Sequence, residues 1–247
     1  MLKKLILNKK TLQKDFDLSI GNLINNLTKL KREFNKKKIK IIIIDDFIPL
    51  KYPKYYEKNF YKPNFDTDLK SKKNQIGKHI VNSKNQSKSL SKNDLFLKNL
   101  FYKKKFITFL KKLTEINDLQ KDKNEWGSGF HQTVNKGFLN KHLDPTFNSD
   151  KKLIRRLNVL YYFNSNWKKK YKGYLSIWNS KLQKKPSIYI EPKINRLVIF
   201  ETSSFSWHGH PEPLKVPKNK TRKSLSLFFF SKKKGKQNLK NFDAEWN

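Results

Sequence analysis

A histidine and a carboxylate two residues apart, His142-Leu143-Asp144, and a pair of histidines far downstream, Trp207-His208-Gly209-His210-Pro211, restrict the shape this chain can take. In a strand, residues i and i+2 point to one side, so the spacing of His142 and Asp144 suits a strand or strand end beside a pocket. The other imidazole must then arrive on a strand from the opposite side of that pocket. Two imidazoles and one carboxylate make the facial ligand set of a non-haem Fe(II) site, with three metal positions left open.

A basic residue after the second histidine extends the pattern. In a strand from Arg222 to Ser231, Arg222, Ser224 and Ser226 share one face, and Leu225, Leu227 and Phe229 share the other. A guanidinium beside a hydroxyl is a receptor for a carboxylate: the fork binds it bidentately and the hydroxyl adds a hydrogen bond. Metal ligands plus such a receptor suit a co-substrate with one chelating end and one free carboxylate end.

The chain resembles the 2-oxoglutarate/Fe(II)-dependent dioxygenases, particularly their prolyl 4-hydroxylase-like branch. The matching blocks are Gly129-Phe130-His131-Gln132, Gly137-Phe138-Leu139, His142-Leu143-Asp144, Arg155 to Tyr162, Gly173 to Trp178, Pro192 with Asn195 to Phe200, and His208 to Phe230. They follow the family's order over roughly residues 40–231, and that ordered set is specific where a lone His-x-Asp is not. The resemblance implies a mainly β fold with supporting α: a double-stranded β-helix core of the jelly-roll, cupin-like type, backed by N-terminal helices. It implies Fe(II) on His142, Asp144 and His208. It also implies 2-oxoglutarate and O2 as co-substrates, with ascorbate as an optional addition. Arg222 is the expected receptor for the distal carboxylate of 2-oxoglutarate, with Ser224 as a helper. Asn158, Tyr161 and Tyr174 are candidates to face the interior, the first two toward co-substrate and Tyr174 toward substrate. His210 competes with His208 for the distal ligand position. The family's placement of that ligand, where the chain enters a strand after an apolar strand and a turn, favours His208 and leaves His210 beside the ligands or facing substrate. His131 lies near the pocket in this reading, or is a structural hydrogen-bonded histidine.

The implied reaction hydroxylates an unactivated C–H bond and releases succinate and CO2. The expected substrate is a peptidyl or free amino acid, with proline as first guess, or another small molecule. Two other readings stand beside it: a nucleic-acid-modifying oxygenase, and a non-enzymatic binder of nucleic acid or anionic surfaces on an inactive oxygenase core. The nucleic-acid demethylases usually carry a second Arg six residues after the first, where this chain has Phe228. A further departure is Lys172-Gly173, where many relatives have two glycines.

The formal net charge of +36 fits a polyanion partner. Lys and Asn are spread along the whole chain and no Arg-rich patch stands out, so compositional bias is the preferred reading, with non-specific nucleic-acid attraction as its by-product. There is no cysteine, hence no disulfide framework. The N-terminus has too short an apolar run for a secretory signal, and the cluster Ile41 to Ile44 is far short of a membrane span. A cytoplasmic protein without a transmembrane segment is expected.

Along the chain, residues 1–38 read as a peripheral helical extension. Its apolar stripe runs through Phe16, Ile20, Leu23, Leu27, Leu30 and Phe34. Residues 39–231 read as the oxygenase domain, with its core at 126–231, and 232–247 as a basic C-terminal tail that Phe242 and Trp246 could dock. Lys40 to Phe47 reads as a buried strand, and Asp45-Asp46 as turn or capping residues. Residues 53–94 read as polar loops, with His79 exposed and part of 66–94 bordering the active site. Asp94 to Ile116 reads as one amphipathic helix. In the strand around Asn158, Val159, Tyr161 and Phe163 alternate with Asn158, Leu160 and Tyr162.

Overall fold

The computed structural model describes residues 7–62, 74–81, 90–125, 127–233 and 244–247. Trp126, Phe242 and the rest of segment 66–94 lie outside the described residues.

The N-terminal stripe forms two helices, α1 (Lys9–Asn25) and α2 (Leu27–Phe34). Asn8 caps α1 by accepting a hydrogen bond from the Thr11 N–H. The run divides at Asn26, whose side chain bonds back to the Asn22 carbonyl. Leu12, Phe16, Ile20 and Phe34 are buried. Strand β1 (Ile41–Ile44) is shorter and less buried than its sequence suggests, because among the described residues it is a sheet edge paired only with the later strand at 197–201; Ile43 is 41% exposed. The helix expected over Asp94–Ile116 is also two. After α3 (Lys51–Lys58) and β2 (Gln75–Val81), α4 (Lys92–Phe101) starts on a reciprocal Ser91–Asp94 capping box. Lys103 then has an extended backbone, and α5 (Lys104–Thr114) follows. The break lets Leu97, Leu100 and Phe101 join Phe106, Phe109 and Leu113 in one core.

The remaining strands are β3 (Gln120–Lys121), β4 (Gly129–Leu143), β5 (Leu153–Tyr162), β6 (Leu175–Trp178), β7 (Ile188–Ile190), β8 (Leu197–Glu201), β9 (Trp207–His210), β10 (Arg222–Lys232) and β11 (Glu245–Trp246). All pairings are antiparallel, in the order β1-β8-β5-β10-β4-β9-β6-β7, with β2 and β11 also on β4 and β3 on β10. The sheet curls on itself, giving the jelly-roll type of core that the resemblance implies. The long strand β4 makes the curl possible: its first half lies between β2 and β10, and its second half beside β9 and β11. Alternation then sorts the side chains. Leu157, Val159, Tyr161, Leu225, Leu227 and Phe229 pack against the helices. Tyr162, Leu175, Ile177, Val198 and Phe200 line the inside of the curl. Among the described residues no helix is long and apolar enough to cross a membrane.

Candidate active site

At the C-terminal end of β4, His142 and Asp144 meet His208 of β9, its register partner. One ligand atom from each of the three lies within 4.8 Å of the others. The Nδ1 of His142 is 2.8 Å from the Asn140 carbonyl, and that of His208 is 2.9 Å from the Ser206 carbonyl. A carbonyl only accepts, so each Nδ1 carries the proton and each Nε2 presents a lone pair. Those Nε2 atoms lie 3.8 and 3.4 Å from the two carboxylate oxygens of Asp144. Burial, followed by the neighbouring His208, lowers the His142 pKa to about 3, so the imidazole is neutral at pH 7. Burial works to raise Asp144, but Arg155 and the two histidines outweigh it and hold the carboxyl well below the usual range. Asn158 donates to Asp144 through its side-chain amide, Arg155 lies 3.3 Å away, and Trp246 of β11 stacks on the His142 ring at 4.8 Å.

The other end of the cavity is formed by Arg222, at the start of β10. Its Nε donates to the Gly173 carbonyl at 2.8 Å and its Nη2 to the Tyr162 hydroxyl at 3.1 Å. The guanidinium is thereby fixed in direction while other N–H groups remain for a ligand. Gly173 has φ +71°, and a Cβ there would stand 2.3 Å from Leu214 and 3.3 Å from the Arg222 Cδ. This second half of Lys172-Gly173 therefore has to be glycine for Arg222 to lie as it does. Ser224 lines the same cavity and is 1% exposed.

Residues 128–230, from just before β4 to near the end of β10, match the family model of the 2OG-Fe(II) oxygenase superfamily. They form a 2OG-Fe(II) oxygenase domain. That domain is of the Fe(II)- and 2-oxoglutarate-dependent dioxygenase type, with O2 as the oxidant. No curated protein matches the sequence. Among solved structures, a Pseudomonas putida prolyl-4-hydroxylase is similar at TM-score 0.50 and 14% identity, over 84% of this chain and 100% of that one. A Trichoplax adhaerens prolyl hydroxylase, solved with a hypoxia inducible factor peptide fragment, is similar at TM-score 0.52 and 17% identity, over 91% of this chain and 94% of that one. A 2OG-Fe(II) oxygenase-family oxidoreductase from Burkholderia pseudomallei gives TM-score 0.52 and 12% identity, over 83% and 89%. At these identities the likeness is one of fold. The nucleic-acid alternative gains no support from these comparisons.

Not every expected residue reaches the oxygenase cavity. His131 does; it is buried, with Nε2 3.0 Å from the Gly127 carbonyl. His210 does as well, apart from the three clustered groups, and neither of its ring nitrogens has a hydrogen-bond partner. Asn158 lines the cavity, but Tyr161 points the other way, into the helix-packed core, where its hydroxyl donates to Asn195. Residues 158 and 161 have opposite parity on β5, so they cannot share a strand face. Tyr162 takes the cavity side instead. Tyr174 does not line the cavity but an adjoining outer groove with Tyr189 and Trp178, which His210 also lines. His79 is buried rather than exposed, because β2 pairs it with Gln132. Its neighbour Lys78, which the sequence offers only as one lysine in a polar stretch, lines the cavity. The residues fit Fe(II) and 2-oxoglutarate. Two neutral imidazoles and a carboxylate converge, and the bare, buried Asn158 Oδ1 and His210 nitrogens are polar atoms that need partners there.

Proposed function

We propose that Fe(II) is held by His142, Asp144 and His208, and that the distal carboxylate of 2-oxoglutarate is held by Arg222 with Ser224 beside it. The observation that carries this is the convergence of two Nε2 lone pairs on the Asp144 carboxylate, at the opposite end of one buried cavity from Arg222. Bound iron and co-substrate supply the oxidising chemistry, with succinate and CO2 as co-products. The chain's own residues do the rest. Asn140 and Ser206 fix the imidazole tautomers, Asn158 and Arg155 keep Asp144 ionised, and Tyr162 and Gly173 aim the guanidinium. Phe200, Phe228 and Leu160 line the cavity and limit water. The substrate is an amino-acid side chain, with the prolyl hydroxylases that share the fold making proline the first to test. The domain carrying this site spans residues 39–231, between a helical extension and a basic tail.

Anaerobic titration with Fe(II) and 2-oxoglutarate tests the assignment through the weak visible absorption of the iron–co-substrate chelate. The band should form in wild type and His210→Ala, fail in His208→Ala, and need more 2-oxoglutarate in Arg222→Ala. A band that survives in His208→Ala and is lost in His210→Ala would exchange the two histidines. Folded wild-type protein that gives no band would remove the proposed site.

A further inference from the structure

The cavity holds more positive charge than the proposed metal and co-substrate use. Lys78 reaches it because β2 is bulged. The register with β4 shifts between Ile76 and Lys78, and Gly77 sits at φ +59°, where a Cβ would stand 2.8 Å from Val134. Lys78 then pairs with Thr133, which on its other side pairs with Arg222, so the two cations lie in one row on the same face. Among the described residues, Lys78 makes no hydrogen bond or ion pair, and Asp144 is the one acidic side chain lining the cavity. Arg155, behind Asp144, is drawn to Asp122 as well. A divalent metal and a dianionic co-substrate would cancel each other, and Asp144 would offset Arg222. Lys78 is left over. His210, 3% exposed with both ring nitrogens bare, lines the same cavity.

We propose that Lys78 and His210 form a second carboxylate subsite, which receives the free carboxylate of the primary substrate, and that this substrate is a small free amino acid rather than a residue within a peptide chain. The inference rests on the proposed metal and co-substrate site. A half-buried ammonium beside a guanidinium and without a counter-ion carries a cost, and a substrate carboxylate offsets it only when it binds. A neutral imidazole can donate to the same carboxylate and accept from an amino group. The cavity is about 70 Å³. Lys78, on its flexible four-carbon stem, is the wall residue best able to move aside and follow an incoming anion. An in-chain residue has an amide where the free acid has its charge, and would leave Lys78 unpaired.

The test uses full-length protein loaded with redox-inert Zn(II) and saturating 2-oxoglutarate, titrated calorimetrically with the common L-amino acids and the carboxamide of each. At least one free acid should bind about ten-fold or more tightly than its carboxamide. Lys78→Met should abolish that preference, Lys78→Arg should retain most of it, and His210→Leu should weaken it. All three should leave the 2-oxoglutarate affinity within about two-fold of wild type. Equal binding of acids and carboxamides, or no binding of any acid, overturns the proposal. It is also overturned if Lys78→Met weakens 2-oxoglutarate as far as Arg222→Met does, since Lys78 would then belong to the co-substrate. Failure of the underlying site shows separately, as wild-type protein that binds no 2-oxoglutarate in the presence of metal.

Discussion

Replacing Lys78 with methionine should make the metal-free protein more stable. Among the described residues, the groups facing the ammonium are the Arg222 guanidinium, the Asp144 carboxylate, and the His131, His142 and His210 rings, which burial keeps neutral. Burial, then repulsion from Arg222, lowers the Lys78 pKa from 10.5 to about 8, with Asp144 offsetting part of the fall. Holding the proton in the folded state at pH 7 then costs about 3 kcal/mol, taken at about 1.4 kcal/mol per pH unit. The sign follows from proton counts. Between about pH 8 and 10.5 the unfolded chain keeps a proton that the folded one has released, so wild-type stability from this group rises with pH. Below pH 8 the penalty is complete and constant. Methionine has a similar length and no charge, so the variant should gain most below pH 8 and lose its advantage toward pH 10.5. The stem lets the ammonium tilt toward water, which puts the measured gain at about 1–3 kcal/mol. Urea unfolding of both proteins from about pH 6.5 to about pH 10 gives the difference, in which the titration of the other lysines cancels. A gain below about 0.5 kcal/mol at neutral pH, or one that does not shrink as pH rises, would refute the reasoning.

The C-terminal strand should matter to the metal. Trp246→Ala removes the ring stacked on His142 and should weaken Zn(II) affinity about three- to ten-fold, measured by competition with a chromogenic chelator, with little change in far-ultraviolet circular dichroism. An unchanged affinity would make β11 a passive cover. Asp45, at the end of β1, is bonded to Arg196 and paired with Lys193, and chiefly the Arg196 hydrogen bond lowers its pKa below 3.8. Its stabilisation is present above that value and lost as pH falls through the lowered one. The pair is partly exposed and screened, so Asp45→Asn should cost less than about 1 kcal/mol at pH 7, with the difference fading in acid unfolding as pH falls below 3.8.

The site was legible in the sequence where the period of two governs. His142 with Asp144, and Arg222 with Ser224, land on the sides their spacing requires, because each pair sits at or just past a strand end, clear of the irregularity inside β4. The same rule held the signal that Tyr162, not Tyr161, belongs with Asn158. Lys78 was not legible, since a bulge at Gly77 resets parity and nothing in Gln75-Ile76-Gly77-Lys78 states which face follows it. The Trp246 stack depends on a strand of two residues that only the folded β4 can specify. The misjudged burial of Ile41 to Ile44 has a related cause. An aliphatic run reports apolar character, whereas edge position is set by which strands lie beyond it.

The two ends of the cavity share one strand, and that makes their spacing testable. The first half of β4 places His131 inside the cavity and pairs Thr133 with Lys78 and Arg222, and its second half leads to His142 and Asp144. Between them the strand is irregular: Lys136 has φ +63° and donates its N–H to the Leu214 carbonyl, and the pairing with β2 skips from Thr133 to Phe138. That extra length lets both halves face the cavity although one lies against β10 and the other against β9. Deleting Lys136 would shift everything beyond it by one residue and turn His142 and Asp144 toward the opposite face, while Arg222, Tyr162 and Gly173 keep their contacts. The expected product is a folded protein whose Zn(II) affinity falls by about 100-fold or more, as when ligands are removed outright. The Gly173 backbone signal in an NMR spectrum should still report an Arg222 hydrogen bond. If Zn(II) affinity instead stays within a few-fold of wild type, the strand absorbs the deletion elsewhere, and the irregularity at 134–137 is not what aligns the metal ligands with the arginine.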